Sequence, residues 1–216
     1  MMLKIGLSQR LDFYGPYREI HESLDQRWSQ LLCKERYIPI PLSSIVLLKD
    51  LTGAINFDGF LLTGGPSYGS PHTETRDRFE YDILSQAAER NIPVLGVCRG
   101  FQMMNRFLGG TLQERPEHVG KTHEISVFGD FCMTVNSFHT RCVDCLGKGF
   151  ESFAICNLDQ SIEGAFHQTL PWIGIMWHME RDDPFQDFSS MLLYQLFHQR
   201  STKGLRDACH RFSKCQ

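Results

Sequence analysis

Short apolar runs at residues 3–7, 37–41, 59–62 and 93–97, each bounded by turn-forming residues, alternate with segments of helical periodicity. Runs this short and this uniformly apolar suit strands buried on both faces. Leu24, Trp28, Leu31 and Leu32 share one face of a helix after the first run, and Phe79, Ile83 and Ala87 do the same ahead of the fourth. Strand alternating with helix predicts an α/β fold: a mostly parallel central sheet flanked by helices.

Beyond Gly109-Gly110 the pattern changes. Residues 125–128, 131–135, 152–156 and 162–166 read as short strands separated by polar turns, which predicts a small antiparallel sheet. Residues 173–177 look like a return to the central sheet, and Phe185, Phe188, Leu192 and Leu196 predict a C-terminal helical segment from about residue 184. With 216 residues, 42% of them hydrophobic, the chain can bury one substantial core but is short for two. A single domain over residues 1–216, without repeat or linker, is the expectation.

Charge and cysteine content narrow the function classes. The net charge of -3 comes with no basic stripe, so nucleic acid is not expected as a partner. No apolar stretch has the length of a membrane span, and Lys4, Ser8, Gln9 and Arg10 interrupt the apolar residues at the start, which predicts neither a membrane partner nor a secretion signal. The eight cysteines are expected to be reduced, in a cytoplasmic protein, because a core of this size needs no disulfide staples.

The most informative stretch is Pro-Val-Leu-Gly-Val-Cys-Arg-Gly-Phe-Gln-Met-Met-Asn-Arg-Phe-Leu-Gly-Gly, residues 93–110, where an apolar strand ends at Cys98 between Gly96 and Gly100. That spacing predicts a nucleophile elbow: a tight strand-to-helix turn lifts the cysteine above the sheet, and the glycines make room for the strained backbone. The following helix would aim its N-terminal N–H groups at the sulfur, stabilising negative charge there or on a tetrahedral intermediate.

Gly96-Val97-Cys98-Arg99-Gly100-Phe101-Gln102 resembles the nucleophile motif of class I glutamine amidotransferases and their relatives, the γ-glutamyl hydrolases. Three further stretches follow in that family's order. Leu61-Leu62-Thr63-Gly64-Gly65-Pro66 resembles its oxyanion strand, which implies backbone donors from Gly65 and Arg99. Val135-Asn136-Ser137-Phe138-His139 resembles a loop that contacts the glutamyl moiety. Gly174-Ile175-Met176-Trp177-His178-Met179-Glu180 resembles the Trp-His-x-Glu signature, with Met179 where proline is usual. The resemblance covers roughly residues 3–190 and implies a flavodoxin-like class I glutamine amidotransferase fold.

It also implies a triad of Cys98, His178 and Glu180, with Gln102, Asn136, Ser137, Phe138 and His139 around the glutamyl group. The implied reaction is hydrolysis of a γ-glutamyl amide through a thioester, with a small molecule as substrate and no metal or organic cofactor. Arg10, in a charged cluster with Asp12, Asp25 and Arg27, is a further candidate for substrate contact, since a loop after the first strand can line the active edge. Glu74, Arg76 and Asp77 read as caps of the next helix. His139, Cys142, Cys145 and Cys156 have spacings that suit zinc only weakly, for want of a second well-spaced pair, so no metal is expected.

Three functions compete: a stand-alone γ-glutamyl hydrolase, a glutaminase subunit passing ammonia to a synthase, and a catalytically idle binding module. The triad argues against the last. Cys-Arg-Gly and Val-Asn-Ser-Phe-His are similar to the γ-glutamyl-γ-aminobutyrate hydrolase group, which favours the first. A compact branch resembling this chain hydrolyses γ-glutamyl-CDP-amidate in making the phosphoramidate of bacterial capsules, so either amine is a candidate leaving group. Arg99 could reach an anionic leaving group at the pocket mouth or brace the elbow against an internal carboxylate. Homo-oligomerisation is left open.

Overall fold

The computed structural model describes residues 1–17, 19–66, 68–69 and 72–214. In chain order, β1 (Leu3–Ser8) is followed by a hairpin of β2 (Arg10–Tyr14) and β3 (Glu19–Ser23), then α1 (Gln26–Lys34), β4 (Tyr37–Leu42), α2 (Leu48–Ala54) and β5 (Gly59–Leu62). α3 (Glu74–Arg90) leads into β6 (Val94–Val97) and α4 (Arg99–Phe107). Next come β7 (Leu112–Glu114), β8 (Lys121–Val127), β9 (Phe131–Ser137), β10 (Arg141–Val143), β11 (Phe150–Cys156), β12 (Ile162–His167) and β13 (Trp172–Ile175). α5 (Asp187–Leu193) and α6 (Leu205–Ser213) close the chain.

The predicted parallel core is present as the strand order β4-β1-β5-β6-β13. Period-2 alternation distributes its side chains between two apolar clusters. Ile5, Leu7, Leu61, Leu95, Val97, Ile173 and Ile175 meet α1, α5 and α6 on one face. Phe60, Leu62, Val94 and Trp172 meet α3 and α4 on the other. α1 begins where the Asp25 carboxylate accepts the Arg27 N–H at 3.0 Å, and it buries Trp28, Leu31 and Leu32. α3 stops at Asn91, which adopts the left-handed conformation just ahead of Ile92-Pro93.

The segments read as antiparallel extend the main sheet. β12 pairs antiparallel with β13, placing Ala165 opposite Gly174, and the order continues β11-β8-β9, while β10 branches from β12 and carries β7, to give eleven strands in all. The small separate antiparallel sheet is the β2–β3 hairpin, which joins Arg10 to Ser23 and Tyr14 to Glu19. The C-terminal segment also differs from one continuous helix. α5 gives way to a π-helical turn over Tyr194–His198, and Gly204 in the left-handed conformation starts α6. Phe188, Leu192 and Leu196 are nonetheless all buried. No helix among the described residues is long and apolar enough to cross a membrane.

Candidate active site

β6 and β13 are parallel neighbours, and the chain leaves their carboxyl ends at Cys98 and Met176. The Cys98 N–H donates to the Ile175 carbonyl at 2.7 Å, tying the two exits together. Cys98 has φ 53° and ψ −105°, a strained backbone for a residue with a side chain, and its carbonyl starts α4 by accepting the Gln102 N–H at 3.0 Å. Gly100 is required by close approach, because a Cβ there would collide with the Leu62 carbonyl.

Two residues beyond Met176, His178 is buried with its Nδ1 2.6 Å from Glu180 Oε1, and Cys98 lies beside it on the same cavity. Burial disfavours the imidazolium, but the charge and hydrogen bonding of Glu180, with Cys98 beside it, outweigh that and raise the His178 pKa to about 9. Asn136 fixes this stretch of backbone. Its Oδ1 accepts the His178 N–H at 2.9 Å, and its Nδ2 donates to the His178 carbonyl at 2.9 Å and to Asp182 Oδ1 at 3.1 Å.

The turn after β5 forms the facing wall. Arg76 is buried and donates to the carbonyls of Thr63 at 2.7 Å and Gly64 at 3.0 Å. The Gly64–Gly65 peptide is planar, so turning its carbonyl to Arg76 directs the Gly65 N–H the opposite way. Arg76 also pairs with Glu80 at 2.8 Å, and the side chain of Arg99 pairs with both Glu80 and Asp77. Burial opposes the charge on Glu80, but the two guanidiniums hold its carboxyl below the usual range. Of the two uses open to the Arg99 side chain, the structure therefore has the internal brace. Arg76 and Asp77 likewise belong to this network beneath the elbow, which corrects their reading as helix caps.

A cavity of about 400 Å³ lies over Cys98, lined among others by Arg10, Asp12, Trp28, Gly65, Phe138 and Arg181. Arg10 sits on its rim, half exposed and 2.8 Å from Asp12. Phe138 packs edge-on against the His178 ring at 5.8 Å, with the Arg181 guanidinium 4.3 Å over its own face. The predicted glutamyl loop divides by strand alternation. Asn136 and Phe138 face His178, whereas Ser137 and His139 are buried on the opposite side. His139 there joins His118 and His123 around Glu163. Gln102 is also buried away from the cavity lining, its amide accepting the Tyr68 N–H at 3.3 Å and donating to the Arg141 carbonyl at 2.9 Å.

Sequence reasoning singled out Arg10 in its cluster with Asp12 and Asp25, all of which line the cavity, but missed the β2–β3 hairpin that carries Arg10 and Asp12, and missed Ser23, Trp28 and Arg181 beside them. The hairpin had a readable signal: Leu11 and Phe13 alternate with polar residues ahead of Gly15-Pro16.

Known proteins place this arrangement in context. The family description Peptidase C26 matches residues 18–180. The γ-glutamyl-CDP-amidate hydrolase of Campylobacter jejuni is 32% identical over 189 residues, covering 83% of this chain and 90% of that protein. Among solved structures, PurLQS from Thermotoga maritima superposes with a TM-score of 0.66 at 18% identity, over 90% of this chain and 99% of that one. A glutamine amidotransferase from the same organism gives 0.61 at 15% identity, over 99% and 86%. The chain belongs to the Peptidase C26 family, of class I glutamine amidotransferase-like type.

Proposed function

We propose that this protein is a hydrolase of γ-glutamyl amides and that Cys98, His178 and Glu180 carry the reaction. The observation that supports it most is the buried His178, hydrogen-bonded to Glu180 and set beside the strained Cys98 on the same cavity. The sulfur attacks the γ-carbonyl, and the tetrahedral oxyanion is met by the N–H groups of Gly65 and Arg99. His178 gives a proton to the departing amine, leaving a γ-glutamyl thioester on Cys98. Water, deprotonated by His178, then attacks the thioester, so glutamate departs and the thiol is restored. Glu180 holds the imidazole in orientation and stabilises its charged form.

The cavity rim supports an anionic leaving group. Arg10 and Arg181 place two guanidiniums beside Trp28 and Phe138, a set able to pair with phosphates and stack on a flat ring. A nucleotide phosphoramidate, the leaving group named for the Campylobacter jejuni relative, combines those features. Steady-state glutamate release by the purified chain tests this reading on glutamine, γ-glutamyl-γ-aminobutyrate, γ-glutamyl polyamines and γ-glutamyl-CDP-amidate. The nucleotide amidate is expected to have the highest kcat/KM. Glutamine turning over as well as every substituted amide, or activity only with an added synthase, would instead support a glutaminase subunit.

A further inference from the structure

Outside the catalytic cavity, three imidazoles converge on one carboxylate. His118 ends a 3-10 turn at Pro116–His118, His123 lies on β8, His139 follows β9, and Glu163 is on β12. All four are buried, Glu163 completely. His118 Nδ1, His123 Nε2 and His139 Nε2 stand 3.6, 3.4 and 3.5 Å from the same oxygen, Glu163 Oε1. These approaches are too long or too poorly aligned to be good hydrogen bonds. Among the described residues, His118 Nδ1, His123 Nε2, both nitrogens of His139 and both oxygens of Glu163 have no hydrogen-bond partner. Buried polar atoms left in that state are costly, and so many at one point call for a ligand.

The spacing indicates which ligand. Four donors at zinc–nitrogen and zinc–oxygen bond lengths on a tetrahedron lie roughly 3.3–3.4 Å from one another. His118 Nδ1 and His139 Nε2 lie close to that distance from Glu163 Oε1, and ligand atoms of these three residues all fall within 4.8 Å of one another, whereas His123 approaches the carboxylate but stands outside that group. A supporting carboxylate is also in place, since His118 turns its other nitrogen to Asp159 Oδ2 at 3.0 Å. That contact orients the ring and leaves Nδ1 as the donor, the usual arrangement behind a metal-bound histidine. A small surface cavity lined by His118, Lys121, His123, Leu158 and Asp159 offers a route in.

We infer that His118, His139 and Glu163 bind one divalent transition-metal ion, with zinc favoured by two imidazole nitrogens and a carboxylate. These ligands lie outside the catalytic cavity, so the ion is structural. It ties together the 3-10 turn, β12 and the segment after β9. His139 directly follows Phe138 on the cavity wall and comes three residues after Asn136, which holds His178. The ion therefore anchors the loop on which the catalytic histidine and one wall of the cavity depend.

The test is elemental analysis and zinc titration of the full chain carrying Cys98→Ala, which removes the catalytic thiol as a competing ligand. About one zinc per chain is expected, with a raised melting temperature on reconstitution after chelation. Glu163→Gln and His139→Ala should lose stoichiometric binding, and Asp159→Asn should weaken it about 10- to 100-fold. Cobalt provides a readout independent of whether those variants fold. Its spectrum should show tetrahedral visible bands without a thiolate charge-transfer band, and Cys156→Ser should leave it unchanged. Failure to retain or bind zinc, equal binding by Glu163→Gln, or a thiolate band lost in Cys156→Ser would each overturn the assignment.

Discussion

Asn136 grips the peptide backbone of His178 from both sides, accepting its N–H and donating to its carbonyl, each at 2.9 Å. The imidazole is thus placed by a side chain that reaches across from β9, 42 residues away in sequence. On the proposed mechanism, Asn136→Ala should lower kcat by about 10²-fold, because a small displacement of a proton-transfer group has that order of effect. KM should change far less. Asn136→Asp keeps the acceptor and loses the donor, so it should recover part of kcat. Steady-state kinetics showing the whole loss in KM would contradict a positioning role.

The proposed triad predicts an order of severity. Cys98→Ala should abolish glutamate release while the protein stays folded, since no acyl-enzyme can form. His178→Ala should lose nearly all activity, and Glu180→Gln should lose about 10²- to 10⁴-fold. An electrophilic glutamine analogue should label Cys98 ahead of the other cysteines. Substantial turnover by Cys98→Ala, or labelling at another thiol, would contradict the assignment.

The pH dependence follows from His178. Its pKa is raised to about 9, so the imidazolium that protonates the leaving amine in the proposed mechanism persists to that pH, and kcat/KM should fall as pH rises through it. Glu180 is the largest of the favourable causes, so Glu180→Gln should move the alkaline limb to lower pH. The same shift acts on stability. A histidine raised above its ordinary value of 6.5 stabilises the fold fully below that pH, and the contribution disappears as pH climbs through about 9. Thermal melts of the wild type and Glu180→Gln should differ more at pH 6 than at pH 10.

Beneath the elbow, Glu80 serves two buried guanidiniums, and its Oε1 also accepts the Ser8 hydroxyl at 2.7 Å. Glu80→Gln removes the charge and strands Arg76 and Arg99 in the core, a change that typically costs about 3–5 kcal/mol. Chemical denaturation should report that loss. Any folded fraction should show reduced kcat as well, because Arg76 fixes the Thr63 and Gly64 carbonyls.

What the sequence disclosed is mostly short-range. The elbow, the oxyanion turn and the His-x-Glu pair each fit within a few residues, so their chemistry can be read along the chain. The alternation of buried runs and helical faces was sufficient for the parallel core. Residues that act through distant partners were not legible. Arg76 and Asp77 look like ordinary charges in the first turn of α3 until β1, β5 and α4 close around them. Ser137 and His139 were grouped with Asn136 and Phe138 because the motif is contiguous, although strand periodicity sends alternate side chains to opposite faces. The His118, His123, His139 and Glu163 cluster draws on four separate segments and leaves no spacing to recognise.

The β2–β3 hairpin departs after Ser8 and is closed at its base, where Arg10 lies opposite Ser23. Length changes in a projection closed at its base cost little chain entropy. Residues 10–23 can therefore drift or be exchanged without moving a backbone atom of β6 or β13. On the proposed mechanism, substrate choice and bond cleavage would then rest on separately inheritable pieces of chain, and a fold built this way could acquire new leaving groups while Cys98 stays where it is.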